Sequence, residues 1–160
     1  MTARLRFYVT MACIFSGFLA GGNIDRYVVQ VPAWEHVNIV SWADYSRHAD
    51  LGTGLFAYPI QAIGSALFLI AAAIAVVSST KFRQVALPLY AATLLALAGL
   101  ILTLFAAPYM LSLRTMANDP ILLQNAFEHF HFWGLLRALM QVASFCCCVW
   151  AMGRVFAIKE

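Results

Sequence analysis

Between Glu128 and Arg137 a carboxylate, two imidazoles (His129 and His131), an indole (Trp133) and a guanidinium fall within ten residues, at the start of an apolar stretch that continues to Phe156. Ionisable groups at such a place are costly and point to a site. Two chemistries fit these residue types. Glu128 and His131 are three apart and on a helix would form one Glu-x-x-His unit, of the kind that di-iron carboxylate bundles use twice. His129 and His131, two apart, could share an ion only from extended backbone, with His36 or His48 completing an imidazole set suited to Cu, Fe or Zn. The metal-free option is acid–base work: His131 or Glu128 takes a proton from an apolar substrate while Arg137, in low dielectric, holds the resulting anion. Asp44 and His48, one helical turn apart, form a second oriented base. The cofactor is therefore open between a transition metal and none. No Ser-His-Asp set, phosphate loop or dinucleotide fingerprint is visible.

The elements that must position these residues follow from composition. Of 160 residues, 63% are hydrophobic and 11% charged, against roughly a quarter charged in a soluble domain, so the first partner is the lipid bilayer. At about 20 apolar residues per span the chain has room for four helices in one domain, and its continuous apolar runs exclude membrane strands. The expected architecture is an all-α, four-helix, up-down-up-down bundle with spans near 6–24, 54–79, 86–111 and 130–156. The first of these, with Arg4 and Arg6 ahead of an apolar run and Gly21-Gly22 after it, has the outline of a signal peptide. A retained helix is the preferred reading, because three spans would leave the chain ends on opposite sides. The net charge of +3 is scattered in pairs at span ends, which argues against nucleic acid as a partner. Cys13 and the run Cys146-Cys147-Cys148 lie in apolar segments without zinc spacing and read as packing residues.

Positive-inside sorting puts Arg4, Arg6, Lys81, Arg83, Arg154 and Lys159 on one side, so both termini are expected in the cytoplasm, with the inner membrane of a bacterium as the location. All four histidines and six of the seven acids then lie on the outer side. There, Asp25 to Asp50 is expected to be a long loop lying on the membrane surface. It would carry a short interfacial helix from about Trp42 to Ala49, capped through Ser41 and Asp44, with Trp42 as an anchor or substrate lid. On the second span Tyr58, Gln61 and Ser65 share a face. On the last, Trp133, Arg137, Gln141, Ser144 and Cys148 follow in steps of four, four, three and four and share another. Arg137 lies about 6 Å below Trp133 and Gln61 about 10 Å below Gly54. If the two faces meet, Tyr58, Gln61, Ser65, Arg137 and Gln141, with Trp133 and Trp42 nearby, border an outward-facing polar pocket for an apolar small molecule. Simple snorkelling is the other reading of Arg137.

A Gly-rich end to the first helix, a Trp-containing outer loop and a last helix beginning Phe132-Trp133-Gly134-Leu135-Leu136-Arg137-Ala138 resemble a family of small four-helix integral membrane proteins that includes the anthrone oxygenases. The resemblance implies oxidation of a polycyclic or quinone-like substrate by molecular oxygen without a conventional cofactor, with Trp133 and Arg137 the positions carried over. The alternative is a non-catalytic accessory subunit or lipid-binding protein whose outer loops dock a membrane protein partner or a second copy.

Overall fold

The computed structural model describes residues 2–77 and 82–158. The described chain forms four long helices, α1 (Thr2–Trp34), α2 (Ile39–Val77), α3 (Arg83–Ser112) and α4 (Pro120–Phe156), each long and apolar enough to cross a membrane. Side chains such as Phe18, Phe56 and Leu104 are 67%, 69% and 72% exposed. In water such a collar would be an aggregation surface, whereas in lipid it is the expected exterior. The chain is an integral membrane protein.

The expected long loop after the first span is not a loop. Helix α1 continues to Trp34 and only residues 35–38 separate it from α2. Nothing between Asp25 and Val31 breaks a helix. Pro32, which lacks an N–H, is accommodated just after a π-helical stretch, Arg26–Gln30, in which the Val31 N–H reaches back to the Arg26 carbonyl and shifts the hydrogen-bond ladder by one residue. Helix α2 opens at Asn38, whose extended backbone (φ −71°, ψ 152°) lets its amide oxygen accept from the Ser41 N–H at 2.8 Å. The cap is thus three residues ahead of the expected Ser41, which lies inside the helix. Asn38→Ala should cost about 1 kcal/mol in thermal unfolding in mild detergent. Ser41→Ala should stay within about 0.5 kcal/mol of the parent, and equal losses would reject this assignment of the cap.

Helix α2 passes through a second π-helical stretch, Ala49–Thr53, where Gly52 leaves the helical region (φ −86°, ψ −116°), before Pro59 follows inside the helix. These are the ordinary causes of a kink. The expected short helix Trp42–Ala49 is present as Ile39–His48, the first part of α2, divided from Gly54–Val77 by the kink at Gly52. Helix α4 starts at Asp119, whose carboxylate accepts from the Ile121 and Leu122 N–H groups at 2.8 and 3.3 Å, with Pro120 at its first position. The stretch after Pro120 and the last span are one helix.

Helix α1 packs on α2 and α4, and α3 packs most closely on α4 and less so on α2. Helices α1 and α4 run in opposite directions: Arg6 donates to the Ile158 carbonyl at 3.0 Å, Asn23 to Gln141 at 2.6 Å and Tyr27 to the His131 carbonyl at 3.4 Å. The apolar interior divides in two. One cluster joins Leu5, Val9, Leu69, Phe82, Leu89 and Val155, and the other joins Trp42, Met110, Leu113, Leu123 and Phe130. Arg47 ties the second together by donating to the carbonyls of Leu113 and Met116, both at 2.9 Å, and to the Asn118 side chain at 2.8 Å. In doing so it satisfies carbonyls left open where α3 ends.

Candidate functional site

Between the two apolar clusters lies a cavity of about 370 Å³ bounded by all four helices. Helix α1 supplies Asn23 and Arg26, α2 supplies Tyr58 and Gln61, α3 supplies Leu100 and Thr103, and α4 supplies Arg137 and Gln141. Each pair is three or four residues apart and so shares one helix face. Its remaining wall is apolar. Ile63, Ile101 and Leu104 border it while being 51%, 57% and 72% exposed on the outside of the bundle. The cavity therefore opens sideways, between α2 and α3, onto the apolar exterior.

The charges around it do not balance. Arg26 and Asp50, each 6% exposed, form a buried ion pair. The Arg26 guanidinium also donates to the Tyr58 hydroxyl at 3.2 Å and stands 5.3, 5.7 and 5.9 Å from the ring centres of Tyr58, Phe130 and Trp34. Arg26 begins one π-helical stretch and Asp50 lies in the other, so the pair is held where both helices depart from α-helical pairing, a placement common at functional sites. Arg137 has no comparable partner. Among the described residues no carboxylate is in ion-pair contact with it, and its Nε is buried without a hydrogen-bond acceptor. Two guanidiniums against one carboxylate (+2 − 1) leave one positive charge, since arginine stays protonated in proteins.

The amides fix the floor. Asn23 donates to the Gln141 oxygen at 2.6 Å and to the Leu19 carbonyl at 2.8 Å. Gly99 makes room for this, because a β-carbon there would lie 3.0 Å from Gln141 Cγ. Above it the Tyr27 hydroxyl occupies the place where a β-carbon of Gly134 would stand, beside Arg137. The Ser144 hydroxyl turns to the Ala92 carbonyl of α3 at 2.8 Å, and Ser65 borders a smaller void next to the cavity.

Of the residues selected from sequence, Tyr58, Gln61, Arg137 and Gln141 come together as expected. Others do not. Trp42 is buried in the second apolar cluster, its ring edge-on to Phe127 at 5.0 Å, and is neither anchor nor lid. Trp133 stacks on Phe105 of α3 at 5.1 Å, outside the cavity wall. Asp44 and His48 do face each other, at 3.8 Å, but both are exposed on α2. Glu128 is exposed too, accepting from Gln124 at 2.8 Å.

The imidazoles do not converge. Residues 129 and 131 are both helical, so their side chains diverge and the extended pairing needed to share an ion is lost. His129 stacks on Tyr109 at 4.7 Å and His131 lies between Phe127 and Tyr27, at 5.9 and 5.4 Å, while His36 is exposed beyond the end of α1. Among the described residues no three His, Cys, Asp or Glu side chains gather as a ligand set.

Asn23, Arg26 and Asp50 escape a reading of the sequence because the polar composition from Asp25 to Asp50 resembles a loop. The available signal was the i, i+3 spacing of Asn23 and Arg26 with no helix breaker before Pro32. No protein-family model, curated protein or solved structure matches the chain.

Proposed function

We propose that this membrane protein takes an apolar, oxygen-bearing ring molecule of the hydroxyarene or quinone type from the bilayer into the four-helix cavity, holds its ionised oxygen at Arg137, and oxidises it with molecular oxygen. The observation that carries the reading is the unpaired Arg137 guanidinium at the wall of a mostly apolar cavity that opens between α2 and α3. A volume near 370 Å³ suits a small multi-ring molecule. A phenolate or enolate beside Arg137 would supply the missing negative charge, and Tyr58, already held by Arg26, would hydrogen-bond the same oxygen.

The oxidation step follows the resemblance to the anthrone oxygenases. Stabilising the enolate concentrates electron density on the ring carbon opposite the oxygen. That carbon then combines with dioxygen, and a ring CH₂ plus O₂ becomes a ring C=O plus water. On this reading the helices run up-down-up-down with both termini cytoplasmic in a bacterial inner membrane. Support comes from Arg4, Arg6, Arg83 and Arg154 at one end of the bundle and the four histidines towards the other.

A second reading, a lipid-binding or accessory protein that holds a ligand without converting it, is favoured by the position of all four histidines outside the cavity wall. One experiment separates the two. Protein in nanodiscs is mixed with anthrone, and both quenching of its tryptophan fluorescence and oxygen uptake are followed. Saturable quenching with oxygen uptake supports the oxygenase, quenching alone supports the binding protein, and neither would reject the cavity as a site for this class of molecule.

A further inference from the structure

Below the cavity, α1 and α4 bring two thiols together. The sulfurs of Cys13 and Cys148 are 3.0 Å apart, about 1 Å more than an S–S bond. Cys148 also lies 3.9 Å from the Val9 carbonyl, one turn back on α1, so its sulfur is seated against that helix. Small buried neighbours, Ala12 and Ser16 on α1 and Ser144 and Ala151 on α4, allow the approach. Cys147 is only partly buried and Cys146 is exposed on the outside of the bundle.

Access to the pair is narrow. Cys148 is fully enclosed and Cys13 is 8% exposed, and both sit within the apolar cluster around Val9 and Leu69. A void of about 10 Å³ shares Leu19, Ala62 and Gln141 with the cavity and reaches Ser16, less than one turn from Cys13. That volume admits a molecule about the size of water. A small neutral oxidant reaches such an enclosed apolar pair more readily than a charged or bulky one.

We propose that Cys13 and Cys148 are a redox pair that hydrogen peroxide closes to a disulfide across α1 and α4. One thiol attacks the peroxide, the O–O bond breaks, and a sulfenic acid and water form. The second thiol then displaces hydroxide from the sulfenic sulfur, giving the S–S bond and a second water. In total two thiols and one peroxide become one disulfide and two waters. The pair stands apart from the cavity ligand, and neither proposal requires the other.

The test uses native membranes treated with hydrogen peroxide, then unfolded in SDS, alkylated and analysed by mass spectrometry. The expected result is loss of two of the four alkylatable thiols, an unalkylated mass about 2 Da lower, a peptide linking residues 13 and 148, and recovery on reduction by a phosphine. Cys146→Ser/Cys147→Ser should behave like the parent, whereas Cys13→Ser should abolish the cross-link. Four thiols still alkylated after peroxide, a link through Cys146 or Cys147, or over-oxidation without a cross-link would each overturn the proposal. Because the parent protein carries the main readout, a variant that fails to fold does not decide the matter.

Discussion

Replacing Arg137 with methionine should make the protein more stable and its cavity unable to hold an anion. Burying an ion without a partner costs several kcal/mol, and an apolar side chain of similar length removes that cost while keeping the packing. We expect a gain of about 1–3 kcal/mol in unfolding in mild detergent. The same change removes a charged hydrogen-bond donor, which contributes about 1.5–3 kcal/mol to a bound anion, so affinity for an ionised hydroxyarene should fall roughly 10- to 100-fold. Arg137→Lys keeps the charge without the planar fork and should fall between. A loss of stability in Arg137→Met, or unchanged affinity, would mean that the guanidinium is satisfied within the protein.

Replacing Asp50 with asparagine should move both quantities the other way. Asp50 neutralises Arg26 from a position 6% exposed. Breaking a buried ion pair by removing one partner typically costs about 3–5 kcal/mol, because the other charge is left uncompensated. Asp50→Asn should therefore lose about that much stability, measured in the same detergent, while anion affinity rises as the local charge goes from +1 to +2. The double change Arg26→Met/Asp50→Leu should recover most of the loss, since an apolar pair of similar volume is often neutral or better. A double variant that loses the sum of the losses of Arg26→Met and Asp50→Leu measured singly would show that the pair is not coupled. Arg137→Met and Asp50→Asn thus bracket the site: one trades binding for stability, the other stability for binding.

The parts of this site that could be read from sequence are those carried on regular helix. Tyr58 with Gln61, and Arg137 with Gln141, repeat at three and four residues inside apolar runs, so periodicity alone placed each pair on one face, and matching depths placed the faces side by side. Arg26 and Asp50 are not picked out by sequence because each flanks an apolar run, Arg26 after the first and Asp50 before the second, where polar composition resembles a surface loop. The π-helical stretches that carry them have no compositional mark. What decides them is where a ladder must absorb Pro32 on α1 or the bend at Gly52 on α2. Trp42 and Trp133 failed as pocket residues for a related reason. Aromatic residues near a membrane surface suggest anchoring, and only the rotation of a continuous helix shows that Trp42 points inward. For His129 and His131, helical backbone decided between the two pairings that spacing had left open, and neighbouring aromatic rings, visible only in three dimensions, took up both imidazoles.

The division of the interior into two apolar clusters with the cavity between them bears on how the molecule holds together as well as on what it holds. The layer around Trp42 and Phe130 and the layer around Val9 and Leu89 are strung on the same helices α2, α3 and α4, so the helix backbone carries one layer into the other while the side chains between them face the cavity. At the level of the cavity the helices are joined mostly by polar contacts: the Arg26–Asp50 pair and the Tyr58 hydroxyl between α1 and α2, and the Asn23–Gln141 amides between α1 and α4. A guest in the cavity would touch all four helices at once and act as mortar between them, and its binding energy would appear as a rise in the unfolding midpoint.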